Sequence, residues 1–115
     1  MDDSRVTRKV ARRILEDLKF DVSEAGDGAD ALLQCKAKMP EAILLDWNMP
    51  IMDGLTFLQK LRKTTDGKTP VVVFCTTESD LAHITEALTE GASEYIMKPF
   101  DREILEAKFT ECGLI

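Results

Sequence analysis

The sequence predicts an α/β protein built on a parallel sheet with helices on both faces. Helical and strand periodicities alternate along the chain, the first sign of repeated strand–helix units. The run Ala42-Ile43-Leu44-Leu45 is apolar at every position, as a strand covered on both faces must be. The length of 115 residues fits one domain, with no room for a second catalytic or DNA-binding module.

Composition excludes several function classes. Hydrophobic residues make up 44% and charged residues 31%, the balance of a globular rather than a disordered chain. A net charge of −6 argues against a sequence-independent grip on nucleic acid. No apolar run approaches the roughly 18 residues of a membrane span, and Met1-Asp2-Asp3-Ser4 lacks the build of a secretory signal. Cys35, Cys75 and Cys112 form no CxxC pair, and one histidine cannot complete an ordinary zinc site with them. Reduced thiols in a small cytoplasmic domain are expected.

Each element follows from local pattern. From Ser4 to Leu18, Val6, Val10, Ile14 and Leu18 recur every four positions, predicting a helix laid on a core and capped by Ser4 or Asp3. Phe20 to Ala25 alternates with period two, a short strand. Gly26-Asp27-Gly28 precedes a second helix expected to bury Ala29, Leu32, Leu33 and Ala37, ended by Met39-Pro40. After the Ala42–Leu45 strand, Asp53-Gly54 opens a third helix carrying Leu55, Leu58 and Leu61, with Phe57 on its flank. Pro70 starts the strand Val71–Cys75. Ser79 to Thr89 suits a fourth helix using Leu81, Ile84 and Leu88, closed by Gly91. Tyr95-Ile96-Met97 is a last strand, and Asp101 to Cys112 a final helix using Ile104, Leu105, the stem of Lys108 and Phe109.

Ligands of parallel α/β sheets bind beyond the carboxyl ends of the strands. Four features gather there: Asp2-Asp3, Asp46 with Trp47-Asn48-Met49-Pro50, Thr76-Thr77, and Lys98-Pro99. Three close carboxylates repel one another unless protons or a cation compensate. A hard divalent cation answers this, and magnesium tolerates few protein ligands plus waters. A lysine and a hydroxyl opposite it would suit an incoming phosphoryl group. Singly, each residue has a plainer reading: Asp2 and Asp3 as helix-dipole partners, Asp46 as a turn residue, Thr76 and Thr77 as edge threonines, Lys98 as a solvated lysine. His83 reads as an exposed helix residue, Trp47 and Tyr95 as partly buried aromatics, and Arg5, Arg8, Lys9, Arg12 and Arg13 as a solvated face. Jointly, at the same sheet edge, the first four features favour chemistry.

These residues resemble the receiver domains of two-component response regulators, over nearly the whole chain from Asp2 onward. The specific segments are Asp2-Asp3-Ser4, Asp46-Trp47-Asn48-Met49-Pro50 with Met52-Asp53-Gly54, and Gly91-Ala92-Ser93-Glu94-Tyr95-Ile96-Met97-Lys98-Pro99-Phe100. Stand-alone chemotaxis-type regulators look closest. The resemblance implies a doubly wound parallel sheet, flavodoxin-like, with strand order 2-1-3-4-5. It implies that Asp46 is the phosphoacceptor, attacking a phosphohistidine to form an acyl phosphate. By the same resemblance Asp3 would bind Mg²⁺ directly and Asp2 mainly through water, with Asp46 and the Asn48 carbonyl completing the protein ligands. Thr76 would be the switch hydroxyl, with Thr77 in the small-residue place after it. Lys98 would pair with phosphoryl oxygens, Tyr95 would swing inward when Thr76 moves, and the Lys98–Pro99 bond would be cis.

Two departures from the family pattern stand out. Lys19 occupies a site that is usually glycine, and if left-handed it costs on the order of 1 kcal/mol there. The apolar strand expected before Asp2 is absent, so residues 1–115 read as an N-terminally truncated receiver. Its slot lies between Phe20–Ala25 and Ile43–Leu45, and each buried orphan backbone group there would cost roughly 1–3 kcal/mol. The expected remedies are residues preceding Met1 in the natural protein, a strand-exchanged oligomer, or rearranged pairing that displaces Asp2 and Asp3 from Asp46.

The function implied is a phosphorylation-driven switch, not an enzyme acting on a separate metabolite. Its partners would be a histidine kinase or histidine phosphotransfer protein and a downstream protein target, with no nucleic acid and no membrane. With nothing beyond Ile115 to form an output domain, the signal is expected to pass through protein contacts around Tyr95. The rival from another class is a Mg-dependent aspartyl-nucleophile phosphatase of the haloacid dehalogenase type, which typically carries a second aspartate where Asn48 stands. A degenerate receiver used only for binding is the third reading, opposed by the complete acid–Thr–Lys set.

Overall fold

The computed structural model describes residues 1–76 and 81–115. In chain order the elements are α1 (Arg5–Asp17), α2 (Gly28–Ala37), β1 (Ala42–Asp46), α3 (Gly54–Lys63), β2 (Val71–Thr76), α4 (Leu81–Thr89), β3 (Glu94–Met97) and α5 (Arg102–Glu111), with a short 3-10 turn at Asp66–Lys68. The strands form one parallel sheet in the order β1-β2-β3. Thr77 and the expected helix start at Ser79 lie outside the described residues, as does the side chain of Leu81.

Period-two alternation along β2 divides the core. Val72 and Phe74 face one side, where Phe57, Leu58 and Leu61 of α3 join Ala31 and Cys35 of α2 and Ala87 of α4. Val73 and Cys75 face the other, with Leu105 and Phe109 of α5 and the partly buried Ile14 and Leu15 of α1. The sheet is therefore covered on both faces, as the apolar Ala42–Leu45 run requires. No helix among the described residues is long and apolar enough to cross a membrane.

Phe20–Ala25 does not form the expected strand. Alternation fixes which side chains turn inward, but a strand also needs a ladder partner, and among the described residues the sheet ends at β1. The segment is held by its ends: the Phe20 N–H donates to the Leu15 carbonyl, and the Ala25 carbonyl accepts from Asp2 N–H at 3.2 Å. Among the described residues the three strands stand side by side in chain order. The narrow sheet also explains α1, whose Val6 and Val10 are 73% and 51% exposed rather than lying on a core. With no strand beyond β1 to cover, only the later turns of α1 pack.

Met1 and Asp2 reach between the two segments. The Met1 nitrogen donates to the Leu44 carbonyl at 2.6 Å, and the Met1 carbonyl accepts from Asp46 N–H at 2.9 Å. With the Asp2–Ala25 bond, these anchor the chain start beside Asp46. The displacement of Asp2 and Asp3 expected from rearranged pairing does not occur.

Helix phases differ from expectation in identifiable ways. In α2 the buried residues are Gly28, Ala31 and Cys35, whereas Leu33 is 67% exposed. The phase is set at Gly28, where a Cβ would stand 2.6 Å from the Met52 carbonyl oxygen, so this turn must face α3's approach loop. In α3 Phe57 lies at the centre of the core and Leu55 on the flank. In α4 Ile84 and Ala87 are buried and Leu88 is exposed; in α5 Leu105 and Phe109 are buried and Ile104 is exposed. Ser4 caps α1 as expected, its hydroxyl oxygen accepting from Thr7 N–H.

Candidate functional site

Parallel strands deliver their carboxyl ends to one edge. Asp46 ends β1, Thr76 ends β2 and Lys98 follows β3. All three line a cleft of about 280 Å³ with Asp2, Asp3 and Asn48. Thus Asp2, Asp3, Asp46, Asn48, Thr76 and Lys98 meet at this cleft, and Tyr95 does not.

The Lys98 ammonium bridges two carboxylates, 2.8 Å from Asp2 Oδ2 and 3.0 Å from Asp46 Oδ1. Asp2 is fully engaged, because its Oδ1 accepts from Ser4 N–H at 2.8 Å. Asp2, Asp46 and Thr76 are buried, whereas Asp3 and Asn48 are exposed at the rim. Burial raises the Asp46 carboxyl above its ordinary range, against the pull of the Lys98 ammonium. Burial pulls Lys98 down, but its bonds to Asp2 and Asp46 outweigh this and its pKa is raised. Cys75, which also lines the cleft, is pushed up to about 12 by burial and so is an inert thiol at neutral pH.

One oxygen from each of Asp2, Asp3 and Asp46 lies within 4.8 Å of the others. Three hard oxygen donors in that span fit a small divalent cation, with the adjoining Asn48 available at the rim. Tyr95 lies away from the cleft, on β3 opposite Phe74. Its ring is half-buried, and the Lys108 ammonium stands 5.5 Å from the ring centroid. The Lys98–Pro99 peptide is cis, as expected.

Some contacts escaped the sequence reading. His83 is not an exposed helix residue: its ring stacks on Trp47 at 4.3 Å and 8°. Arg8 and Arg12 are not simply solvated, since both pair with Glu24, and Arg8 also donates to the Asp2 carbonyl at 2.6 Å. The Trp47–His83 stack joins elements far apart in the chain, and the Arg8–Asp2 bond spans six residues, a spacing that no helical periodicity records.

Comparison with known proteins identifies the family and the fold. A family model described as "Response regulator receiver domain" matches residues 1–110. The chemotaxis protein CheY1 of Helicobacter pylori is 36% identical over 110 residues, covering 94% of this chain and 89% of that protein. The structure of the chemotaxis response regulator CheY4 of Vibrio cholerae superposes with a TM-score of 0.89 at 30% identity, covering 96% of this chain and 92% of that one. The receiver domain of a sensor histidine kinase from Pseudomonas aeruginosa, described "with magnesium ion coordinated in the active site cleft", gives a TM-score of 0.87 at 26% identity, covering 96% and 91%.

Proposed function

Because the chain belongs to the response regulator receiver domains, we propose that it is a phosphorylation switch of two-component signalling in which Asp46 is the phosphoacceptor. The observation that carries this reading is the bridge of Lys98 between Asp46 and Asp2 inside an acid-lined cleft. An Asp46 carboxylate oxygen attacks the phosphorus of a phosphohistidine on a histidine kinase or phosphotransfer protein. The phosphorus–nitrogen bond breaks, its electron pair returns to the imidazole, and an acyl phosphate forms on Asp46. Asp3, Asp46 and the Asn48 carbonyl would hold Mg²⁺, with Asp2 acting through water; the ion supplies neutralisation of phosphoryl charge. Lys98 pairs with a phosphoryl oxygen as Asp46 changes from carboxylate to acyl phosphate. Thr76, at the end of the neighbouring strand, turns toward the new group, and Tyr95 on the adjacent strand follows it inward. This shifts a pre-existing equilibrium at the face of α4, β3 and α5 toward a downstream protein target.

In this reading the protein is a cytoplasmic regulator of the chemotaxis type and not an enzyme on a separate metabolite. Asn48 disfavours the phosphatase alternative, since an amide cannot serve as its general acid/base. Acetyl phosphate with Mg²⁺ tests the proposal: intact mass should show one acid-labile phosphoryl adduct, absent from Asp46→Asn. Rapid turnover of p-nitrophenyl phosphate would favour the phosphatase instead. Undiminished labelling of Asp46→Asn would exclude Asp46 as the acceptor.

A further inference from the structure

We infer that Arg8 is a positioning residue for the acid pair: it holds the Asp2 backbone so that Asp2 and Asp3 present their carboxylates to a divalent cation. The inference rests on reading the acid cluster as a cation site. Asp2 is fixed through both of its backbone polar groups. Its N–H donates to the Ala25 carbonyl at 3.2 Å, and its carbonyl accepts from Arg8 Nη1 at 2.6 Å. Arg8 is itself anchored, with Nε 3.3 Å from Glu24 Oε1, while Arg12 Nη1 holds the other Glu24 oxygen at 2.8 Å. The guanidinium packs against Gly26, where a Cβ would come within 3.2 Å of Nη1. A planar fork can bond a carboxylate and a carbonyl together, which a lysine ammonium matches poorly.

This geometry matters because the acids stand on very little backbone. Asp2 and Asp3 precede α1, and their backbone is tied down by the pair of Met1 bonds to β1 and by the Asp2 bond to Ala25, outside the sheet. Arg8 ties the same peptide to α1 and to Glu24. Without it, the Asp2–Asp3 peptide could rotate and carry both carboxylates out of register with Asp46. The bland alternative is an ordinary partly exposed ion pair with Glu24, worth little by itself.

The two readings differ in sign. Removing a positive charge near a cation site, by electrostatics alone, tightens cation binding. Removing a positioning group weakens it, by about tenfold at the low end for groups that orient ligands from behind. The experiment is Mg²⁺ titration calorimetry on the whole chain carrying Arg8→Gln or Arg12→Gln, with melting temperatures measured alongside. Both substitutions remove one charge and one Glu24 contact, but only Arg8 touches Asp2. Arg8→Gln is expected to lower Mg²⁺ affinity about tenfold, while Arg12→Gln leaves it unchanged or slightly tighter. Equal or tighter binding by folded Arg8→Gln, with the unsubstituted chain binding normally, would overturn the role of Arg8 alone. If Arg8→Gln fails to fold, Arg8→Lys decides, since it keeps the charge but loses the fork: weakened binding supports the inference and unchanged binding overturns it. No Mg²⁺ binding by the unsubstituted chain would overturn the cation reading itself, and this inference with it.

Discussion

The Lys98 ammonium lies 3.0 Å from Asp46 Oδ1, although the two residues come from opposite edge strands of the sheet. Asp46 ends β1, Lys98 follows β3, and the lysine reaches across the end of β2 to meet it. The contact therefore reports the whole sheet's register at the cleft. It also neutralises part of an acid cluster that would otherwise repel itself.

Replacing that lysine should expose the repulsion. Lys98→Met keeps the length of the side chain but leaves the low-exposure carboxylates of Asp2 and Asp46 without their shared cation. Leaving such groups unpaired costs about 2 kcal/mol after allowance for partial exposure. Urea unfolding at pH 7 should show this loss without added metal. Millimolar-scale Mg²⁺ should restore more stability to Lys98→Met than it adds to the unsubstituted chain.

Asp46 should make stability depend on pH in a defined direction. Burial raises its folded-state pKa above the ordinary value of 3.8. The folded state then holds the proton more tightly than the unfolded state. Its contribution is full below 3.8 and is lost as pH rises through the raised folded value. Asp46→Asn, a neutral side chain of the same shape, should therefore be more stable than the unsubstituted chain at pH 7. The difference should shrink as pH falls through the raised folded value and vanish below 3.8. Lys98 works in the alkaline window: its raised pKa contributes fully below 10.5 and is lost as pH rises through the folded value. Denaturant midpoints across pH measure both, and equal midpoints for Asp46→Asn and its parent at pH 7 would contradict the first.

The cleft was legible in the sequence because a parallel sheet sends all its carboxyl ends one way. Asp46, Thr76 and Lys98 needed only to be strand-terminal to meet, and the resemblance to receiver domains implied the roles proposed for them. Tertiary phase was not legible. Ala31 rather than Leu33 is buried because Gly28 must approach the Met52 carbonyl, which no helical periodicity records. The alternation of Phe20–Ala25 correctly turns Phe20 toward Phe109, with ring centroids at 5.5 Å. Alternation says nothing about a ladder partner, so the strand itself did not follow. The Trp47–His83 stack exists only once distant elements are packed, and the Arg8–Asp2 bond depends on the path of the chain just before α1.

Lys19 offers a stabilising substitution. Among the described residues, α1, α4 and α5 end in the same motif. The N–H of Phe20, Ala92 and Leu114 reaches back to Leu15, Ala87 and Phe109, and the N–H of Lys19, Gly91 and Gly113 bonds the Glu16, Leu88 and Thr110 carbonyls. The left-handed residue is glycine in two of them, with φ of 111° at Gly91 and 78° at Gly113, but lysine in the first, with φ of 75°. A Cβ is disfavoured in that conformation. Lys19→Gly should therefore raise stability by about 1 kcal/mol, read as a higher urea midpoint with unchanged slope. Gly113→Ala, at a site where a Cβ meets nothing within 4 Å, should lose a similar amount by the same strain.

Gly54 should tolerate a side chain poorly. Its N–H donates to the Trp47 carbonyl at 2.8 Å and it opens α3, capped by Asp53. A Cβ there would collide with the Asp46 carbonyl oxygen and stand 3.1 Å from the Trp47 Cα. Both obstacles are backbone, so neither can rotate away as a side chain would. Either α3 retreats from β1, opening the packing of Phe57 and Leu58, or the Asp46 peptide turns. Overpacking of this kind costs about 3 kcal/mol, well above the pure strain expected at Gly113. Asp46 also carries the carboxylate proposed as the phosphoacceptor, and its N–H donates to the Met1 carbonyl. Gly54→Ala should thus slow acetyl phosphate labelling even at temperatures where circular dichroism shows it folded. A folded Gly54→Ala that labels at the parental rate and loses no more stability than Gly113→Ala would show that the backbone around Asp46 yields more easily than its contacts indicate.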